Sequence, residues 1–143
     1  MSGRAVIGVI LQRDKFLTIE RSQRVRAPGK ICFPGGGVEE GETDEEALVR
    51  EFMEELGVTV FPKRKIWISS TPRGIQLNWW LAALEANTSL SPNPDEVAEA
   101  IWLHPAELAR HPQILPSNAE FLEAVFAGKI DVNVEFDWDD ASG

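Results

Sequence analysis

The sequence predicts an α/β sandwich with a mixed β-sheet. Three observations predict it: short apolar runs rich in β-branched and aromatic residues divided by turn residues, an amphipathic helical stretch in their midst, and another helical stretch after most of them. At 143 residues, 43% of them hydrophobic, the chain can build one sizeable core but not two ordinary ones, so residues 1–143 are read as a single domain.

Ala5 to Leu11 and Phe16 to Glu20 read as two strands of a hairpin turned at Arg13-Asp14-Lys15. Arg21 to Lys30 is a loop by its composition, with Pro28-Gly29 and the basic residues Arg21, Arg24, Arg26 and Lys30. Ile31 to Phe33 is a short strand, ended by Pro34 and the glycines Gly35, Gly36 and Gly37. A helix is predicted from Asp44 to Leu56. Thr43 and Glu46 form its capping box, and Gly57 ends it. Val58 to Phe61, Lys65 to Ser69 and Ile75 to Leu84 follow as strands, the last with Trp79 and Trp80 on opposite faces. Ala100 to Leu103 is a further strand and Pro105 to Ala109 a helical turn. Ser117 to Ala127 reads as a second helix, capped by Ser117 with Glu120 at the third position and stopped by Gly128. From Ile130 to Trp138 apolar and polar residues alternate, which predicts an additional C-terminal strand over 129–139. Such a strand would pair with a sheet edge of its own subunit or of a partner, so monomer and homodimer both stay open.

The net charge of −9 argues against a nucleic-acid backbone or an anionic membrane surface as partner, since both require clustered positive charge. An enzyme of this charge that acts on phosphates must offset its own field, and divalent cations do so. The apolar run Ala5 to Leu11 is too short for a signal sequence or a membrane span, so a soluble, cytoplasmic protein is expected. Cys32 is the only cysteine; it can form no intramolecular disulfide and reads as a small buried hydrophobe in a strand.

Each helical residue advances about 100°, so Glu51, Glu54 and Glu55 share one face of the central helix. Leu48, Val49, Phe52, Met53 and Leu56 cover much of the rest. Neighbouring carboxylates repel by only about 0.3 kcal/mol when solvated, but by roughly 3 kcal/mol at about 5 Å and an effective dielectric near 20. An enclosed acidic face therefore requires cations. Between Glu39 and Glu55 nine acids face one base, Arg50, which at helical spacing reaches Glu46 and Glu54 and is read as their orienting partner. Gly35 to Gly37 allow the backbone close to the helix, where a carbonyl suits an oxygen-loving ion such as Mg²⁺ or Mn²⁺.

Gly36, Glu42, Arg50-Glu51, Phe52, Met53, Glu54-Glu55, Leu56, Gly57 and Val58 match, without departure, the sequence box of the Nudix hydrolases. The resemblance implies a Nudix-type α/β/α sandwich. It implies also that Glu51, Glu54 and Glu55 bind Mg²⁺ with the carbonyl of Gly35 or Gly36, while Arg50 and Glu42 position the carboxylates. The reaction it implies is hydrolysis of a diphosphate linkage in a small nucleotide-like substrate, the ion providing a nucleophile and Lewis acidity. For the group that takes the water's proton, Glu51 comes first and Glu96 second, although Glu96 also reads as a solvated loop acid.

The box leaves base and sugar open. Three features resemble the MutT-like branch, which cleaves nucleoside triphosphates, oxidised dGTP included, to the monophosphate and pyrophosphate: the length, Phe33-Pro34-Gly35-Gly36 with Arg21 upstream, and Leu115-Pro116-Ser117-Asn118 before an apolar helix. Arg21, Phe33 and Asn118 are thus the candidate substrate contacts. Asn118 would offer donor and acceptor to a purine edge, and Arg21 would bond or stack on the base. Core for Phe33, a helix cap for Asn118 and a solvated strand end for Arg21 are the plain readings. Arg24, Arg26 and Lys30 read first as a solvated basic loop and second as phosphate contacts. The segment beyond Gly128 and the stretch Arg24 to Cys32 depart from that branch, which keeps a hydrolase of ADP-ribose or another nucleoside diphosphate derivative open. A non-catalytic, nucleotide-sensing module is the alternative of another class.

Overall fold

A computed structural model describes residues 3–132 of the chain. In chain order the elements are β1 (Arg4–Val9), β2 (Leu11–Gln12), β3 (Lys15–Arg21), β4 (Ile31–Cys32), β5 (Gly35–Gly37), α1 (Asp44–Leu56), β6 (Val60–Ser70), β7 (Gln76–Leu84), β8 (Val97–Leu103), α2 (Pro105–Ala109) and α3 (Pro116–Phe126). One sheet has the order β5-β1-β7-β6 and is mixed, because β1 runs parallel to β7 and antiparallel to β5. The other is antiparallel and centred on β3, which pairs with β2, β4 and β8.

Two apolar layers hold the sheets and helices together. Val6, Ile10 and Leu17 meet Leu48, Phe52 and Leu56 of α1 in one. Val9, Phe16, Phe33 and Trp79 meet Leu108 of α2 and Phe121 of α3 in the other. The result is the expected α/β/α sandwich. Trp79 and Trp80 do face opposite layers. Trp79 stacks on Phe121 with ring centroids 4.3 Å apart and planes 3° from parallel. Helix α1 crosses so close to β1 that a Cβ on Gly8 would come within 2.5 Å of the Phe52 ring.

α1 has the predicted bounds and caps: the Thr43 hydroxyl accepts from the Glu46 N–H, Glu46 accepts from the Thr43 N–H, and Gly57 is left-handed at φ 64°. Its apolar stripe is narrower than expected, with Val49 and Met53 exposed.

Elsewhere the structure differs from the sequence reading. The turn at Arg13 and Asp14, both at positive φ, joins β2 to β3, while β1 leaves at Ile10 for the other sheet. The glycines Gly35 to Gly37, read from the sequence only as the end of the preceding strand, form a strand of their own, β5, paired with Ala5 to Ile7. The two strands expected around Pro62 are one, β6, interrupted only by register shifts. Proline is tolerated there because β6 is the edge of its sheet and pairs on one side only. Helix α3 starts one residue earlier than predicted: Pro116 takes the first helical position, Leu115 is the N-cap, and no side chain caps it, so Ser117 is not the cap.

Of the predicted C-terminal strand, residues 133–139 lie outside the described ones. Ile130 is buried and Val132 packs on the second layer, but residues 130–132 are in no strand. Among the described residues no helix is long and apolar enough to cross a membrane.

Candidate active site

Arg50, two turns into α1, gathers Glu51 and Glu54 of the helix and Glu42 of the loop before it. Its Nε and Nη2 donate to the two Glu42 oxygens at 2.7 and 2.9 Å, its Nη1 to Glu51 at 3.0 Å and to Glu54 at 3.3 Å, and its Nη2 also to the Gly37 carbonyl at 2.9 Å. The rigid fork of guanidinium donors makes this possible; an ammonium lacks the geometry. Glu54 is the partner expected from helical spacing. Glu46 is not, because its carboxylate is taken by the capping box. The Arg50 bond is the largest reason Glu42 titrates low, at about 2.

Two carboxylates are enclosed behind this cation. Burial pushes Glu51 above the ordinary glutamate value, against the pull of Arg50. Burial, and then the charge of Glu51, push Glu55 well above it, although Glu55 accepts the Gly35 N–H at 3.0 Å. A Cβ on Gly36 would collide with the Glu51 carboxylate, so that position has to be glycine for Glu51 to stand where it does. Glu96, in the loop entering β8, acts electrostatically on both Glu51 and Glu55, and its buried Oε2 has no hydrogen-bond partner. Its backbone is pinned: Ser22 N–H donates to the Glu96 carbonyl, and the Asn93 N–H donates to the Glu55 carbonyl.

A NUDIX domain model matches residues 1–125. The chain belongs to the Nudix family.

Among similar Nudix proteins, an RNA pyrophosphohydrolase of Erythrobacter litoralis is 31% identical over 147 aligned positions, covering 85% of this chain and 87% of that protein. An NAD-capped RNA hydrolase, NudC, of Stutzerimonas stutzeri is 34% identical over 96 positions, which is 67% of this chain; the chain spans only 34% of that protein. The crystal structure of a MutT protein from Methanosarcina mazei superposes with a TM-score of 0.72 at 23% identity, over 85% of this chain and 91% of that one, a likeness of fold.

Nudix folds imply a divalent cation, and the residues here fit one. The donors around Glu51 are all oxygen, which suits Mg²⁺ or Mn²⁺. The Glu96 Oε2 without a hydrogen-bond partner and the enclosed Glu51 and Glu55 carboxylates repel one another, and added positive charge would relieve that repulsion. Among the described residues no three acidic, imidazole or thiol groups already stand in a metal-holding arrangement, so side chains must turn to complete one. Glu54, its side chain 47% exposed, has the freedom to do so.

The candidate substrate contacts lie differently. Phe33 is core: it is 3% exposed and meets Phe16, Trp79 and Phe121 edge-on. Asn118 is equally buried, and its Oδ1 accepts the Phe33 N–H at 2.9 Å while its Nδ2 donates to Ser117. There it continues the ladder in which Ile31 bonds Gln113 and Leu115, acting as a stand-in for a backbone carbonyl. Arg21 donates to the Arg26 carbonyl at 2.6 Å and points toward Cys32, and its charge reaches Glu55. Cys32 is buried, as read, with its thiol pushed up to about 11. Arg24 is exposed and pairs with Asp95.

Sequence reasoning missed Asp44 as a buried residue. It receives bonds from Arg4, Asn78 and Trp80. In the sequence it is one of three first-turn acids, and nothing local separates it from Glu45 or Glu46.

The shifts carry a pH signature. Glu51 and Glu55 titrate above 4.5 in the folded chain, so ionising them opposes folding; their contribution is fully present below 4.5 and is lost as pH rises through the raised values. Glu42 works the other way: its contribution is present above 4.5 and is lost as pH falls toward about 2. The metal-free protein is expected to melt at higher temperature as pH is lowered through the raised Glu51 and Glu55 values toward 4.5, and at lower temperature as it falls further toward the Glu42 value, with Mg²⁺ flattening the first limb. Thermal melts in EDTA and in Mg²⁺ across this range check it.

Proposed function

We propose that the chain is a metal-dependent pyrophosphohydrolase that cleaves a nucleoside triphosphate, oxidised dGTP included, to the monophosphate and pyrophosphate. One observation carries the metal-dependent hydrolysis: Glu51, Glu55 and Glu96 are enclosed together beside Gly35 and Gly36, with one Glu96 oxygen without a hydrogen-bond partner; the triphosphate rests on the MutT-like resemblance of Phe33-Pro34-Gly35-Gly36 with Arg21. Glu51, Glu54, Glu55 and Glu96 would hold Mg²⁺, or Mn²⁺, with a carbonyl of Gly35 or Gly36. When bound, the ion polarises phosphate oxygens and offsets the negative charge of site and substrate.

The chain's own groups do the rest. Arg50 holds Glu51 by Oε1 and Glu54 on the same side of α1, and Glu42 keeps Arg50 in place. Glu51 is the first candidate to take the proton of the attacking water, because it is enclosed against Gly36 and held in place by Arg50 Nη1. Glu96 is the second. Arg21 at the end of β3, and Arg24, Arg26 and Lys30 in the loop after it, offer positive charge to phosphates in a chain of net charge −9.

A second reading is hydrolysis of ADP-ribose or another nucleoside diphosphate derivative: the likeness to the MutT-like branch rests partly on Phe33 and Asn118, and both are buried, with Asn118 Oδ1 accepting the Phe33 N–H. The complete carboxylate set argues against a sensing module without turnover. The charge of −9 favours small substrates over RNA ends.

The test incubates the chain and Mg²⁺ with nucleoside triphosphates, oxidised purine triphosphates, ADP-ribose and dinucleoside polyphosphates, identifying each product. Pyrophosphate with a monophosphate supports the first reading, and two monophosphates the second. No product with Mg²⁺ or Mn²⁺ overturns both. Glu54→Gln is expected to lower kcat by more than about 10²-fold, beyond the loss usual for groups that only support a metal ligand, with little change in melting temperature because Glu54 is half-exposed.

A further inference from the structure

We infer that Arg4 and Asp44 form a clamp that positions Glu42, and through it Arg50, for the reaction proposed above, on which this inference rests. Asp44 opens α1 and is 8% exposed. An acid in a first turn is ordinarily a solvated complement to the helix dipole. This one instead accepts Arg4 Nε at 3.0 Å, Asn78 Nδ2 at 2.8 Å and Trp80 Nε1 at 3.1 Å, with Lys65 Nζ at 3.4 Å. Burial works against its ionised form, yet these donors, drawn from β1, β6 and β7, keep it ionised.

Arg4 also holds the loop between β5 and α1 at both ends. Its Nη2 donates to the Glu42 carbonyl at 3.3 Å, and its own carbonyl accepts the Val38 N–H at 2.9 Å. Inside that loop Glu42 accepts the Glu39 N–H at 2.8 Å and then the Arg50 fork. A continuous path thus runs from β1 through Arg4 to Glu42, to Arg50, and to Glu51 and Glu54.

Helix α1 does not need this path to form. It carries a capping box, a left-handed C-cap and the buried Leu48, Phe52 and Leu56. What those features leave free is the setting of the loop that carries Glu42, which includes Gly41 at φ 86°. Arg4 is suited to fix it from outside. Its side chain is 44% exposed and lines an open cleft of about 690 Å³ with Glu39, Glu42 and Gln76, so a smaller side chain there seals no void.

The experiment compares Arg4→Met, Arg4→Lys and Lys65→Met in the full chain. Arg4→Met is expected to lower kcat and raise the Mg²⁺ concentration for half-maximal rate by about tenfold each, with KM for the nucleotide nearly unchanged. Its Mg²⁺-induced rise in melting temperature should shrink, a readout independent of turnover. Arg4→Lys, which keeps the charge, should recover part of both. Lys65→Met, which leaves the Arg4 bonds to Asp44 and Glu42 in place, should lower the melting temperature and leave kcat nearly unchanged. An active wild type with Arg4→Met indistinguishable from it overturns the clamp alone, as does a loss in all three variants that follows melting temperature. A wild type inactive on every substrate overturns the clamp and the proposed function together.

Discussion

Gly36→Ala is expected to lower turnover by about 10²–10³-fold, the scale of losing one positioned catalytic group, while the melting temperature stays within about 3 °C of the parent. The reason is what the new methyl group meets. At Gly36 it would collide with the Glu51 carboxylate, the far end of a side chain that can rotate to another staggered position at small cost. The fold keeps its stability and Glu51 loses its place. Gly35→Ala makes the contrast. There the methyl meets the Val6 carbonyl and lies 2.8 Å from the Ile7 Cα, backbone atoms of β1 that cannot step aside, and φ is 156°. That change is expected to destabilise the protein by about 1–3 kcal/mol. Steady-state kinetics and thermal melts on the two variants check both statements; a fully active Gly36→Ala protein would remove Glu51 from the reacting groups.

Arg50→Met is expected to damage stability and catalysis together. Without the guanidinium, Glu42, Glu51 and Glu54 face one another with no shared cation. Breaking a partly enclosed ion pair from one side costs about 1–3 kcal/mol here, less than for a sealed pair because the Arg50 side chain is 24% exposed and Glu54 47%. In a domain of this size that lowers the melting temperature by about 3–10 °C. Millimolar Mg²⁺ should restore more of the loss than it adds to the parent, since it supplies the missing positive charge. The kinetic effect should exceed that of Glu54→Gln, because two carboxylates lose their orientation at once. Arg50→Lys is expected to recover stability before activity: one ammonium cannot serve Glu42, Glu51 and the Gly37 carbonyl together.

What was legible in the sequence follows the range of the interactions involved. Both ends of α1 were readable because Thr43, Glu46 and Gly57 act within one turn of where they stand. The start of α3 was not, because two local signals compete there. Ser117 with Glu120 resembles a cap, but Pro116 already fits the first helical position, and the cap falls on Leu115. β5 could not be read from three glycines, whose strand conformation exists only by pairing with Ala5 to Ile7. In the site, spacing put Glu54 beside Arg50 correctly and Glu46 wrongly, since one carboxylate cannot serve both the cap and the arginine. The Arg4 to Asp44 pair spans 40 positions, beyond any local pattern. Glu96, weighed from the sequence against a solvated loop acid, has its Oε2 buried among the other carboxylates.

The residues placed at the reaction come from separate layers. Gly35 and Gly36 ride on the mixed sheet, Glu51 and Glu55 on α1, and Glu96 on the loop that enters the antiparallel sheet. Their mutual spacing is therefore set by how the two sheets seat against α1, through contacts such as Gly8 on Phe52. If the carboxylates hold an ion as proposed, conservative swaps in that seam, Leu48→Ile or Val6→Ile for instance, should alter its apparent affinity before they register in a melting curve, which would make the metal a ruler for core packing some distance from the proposed site.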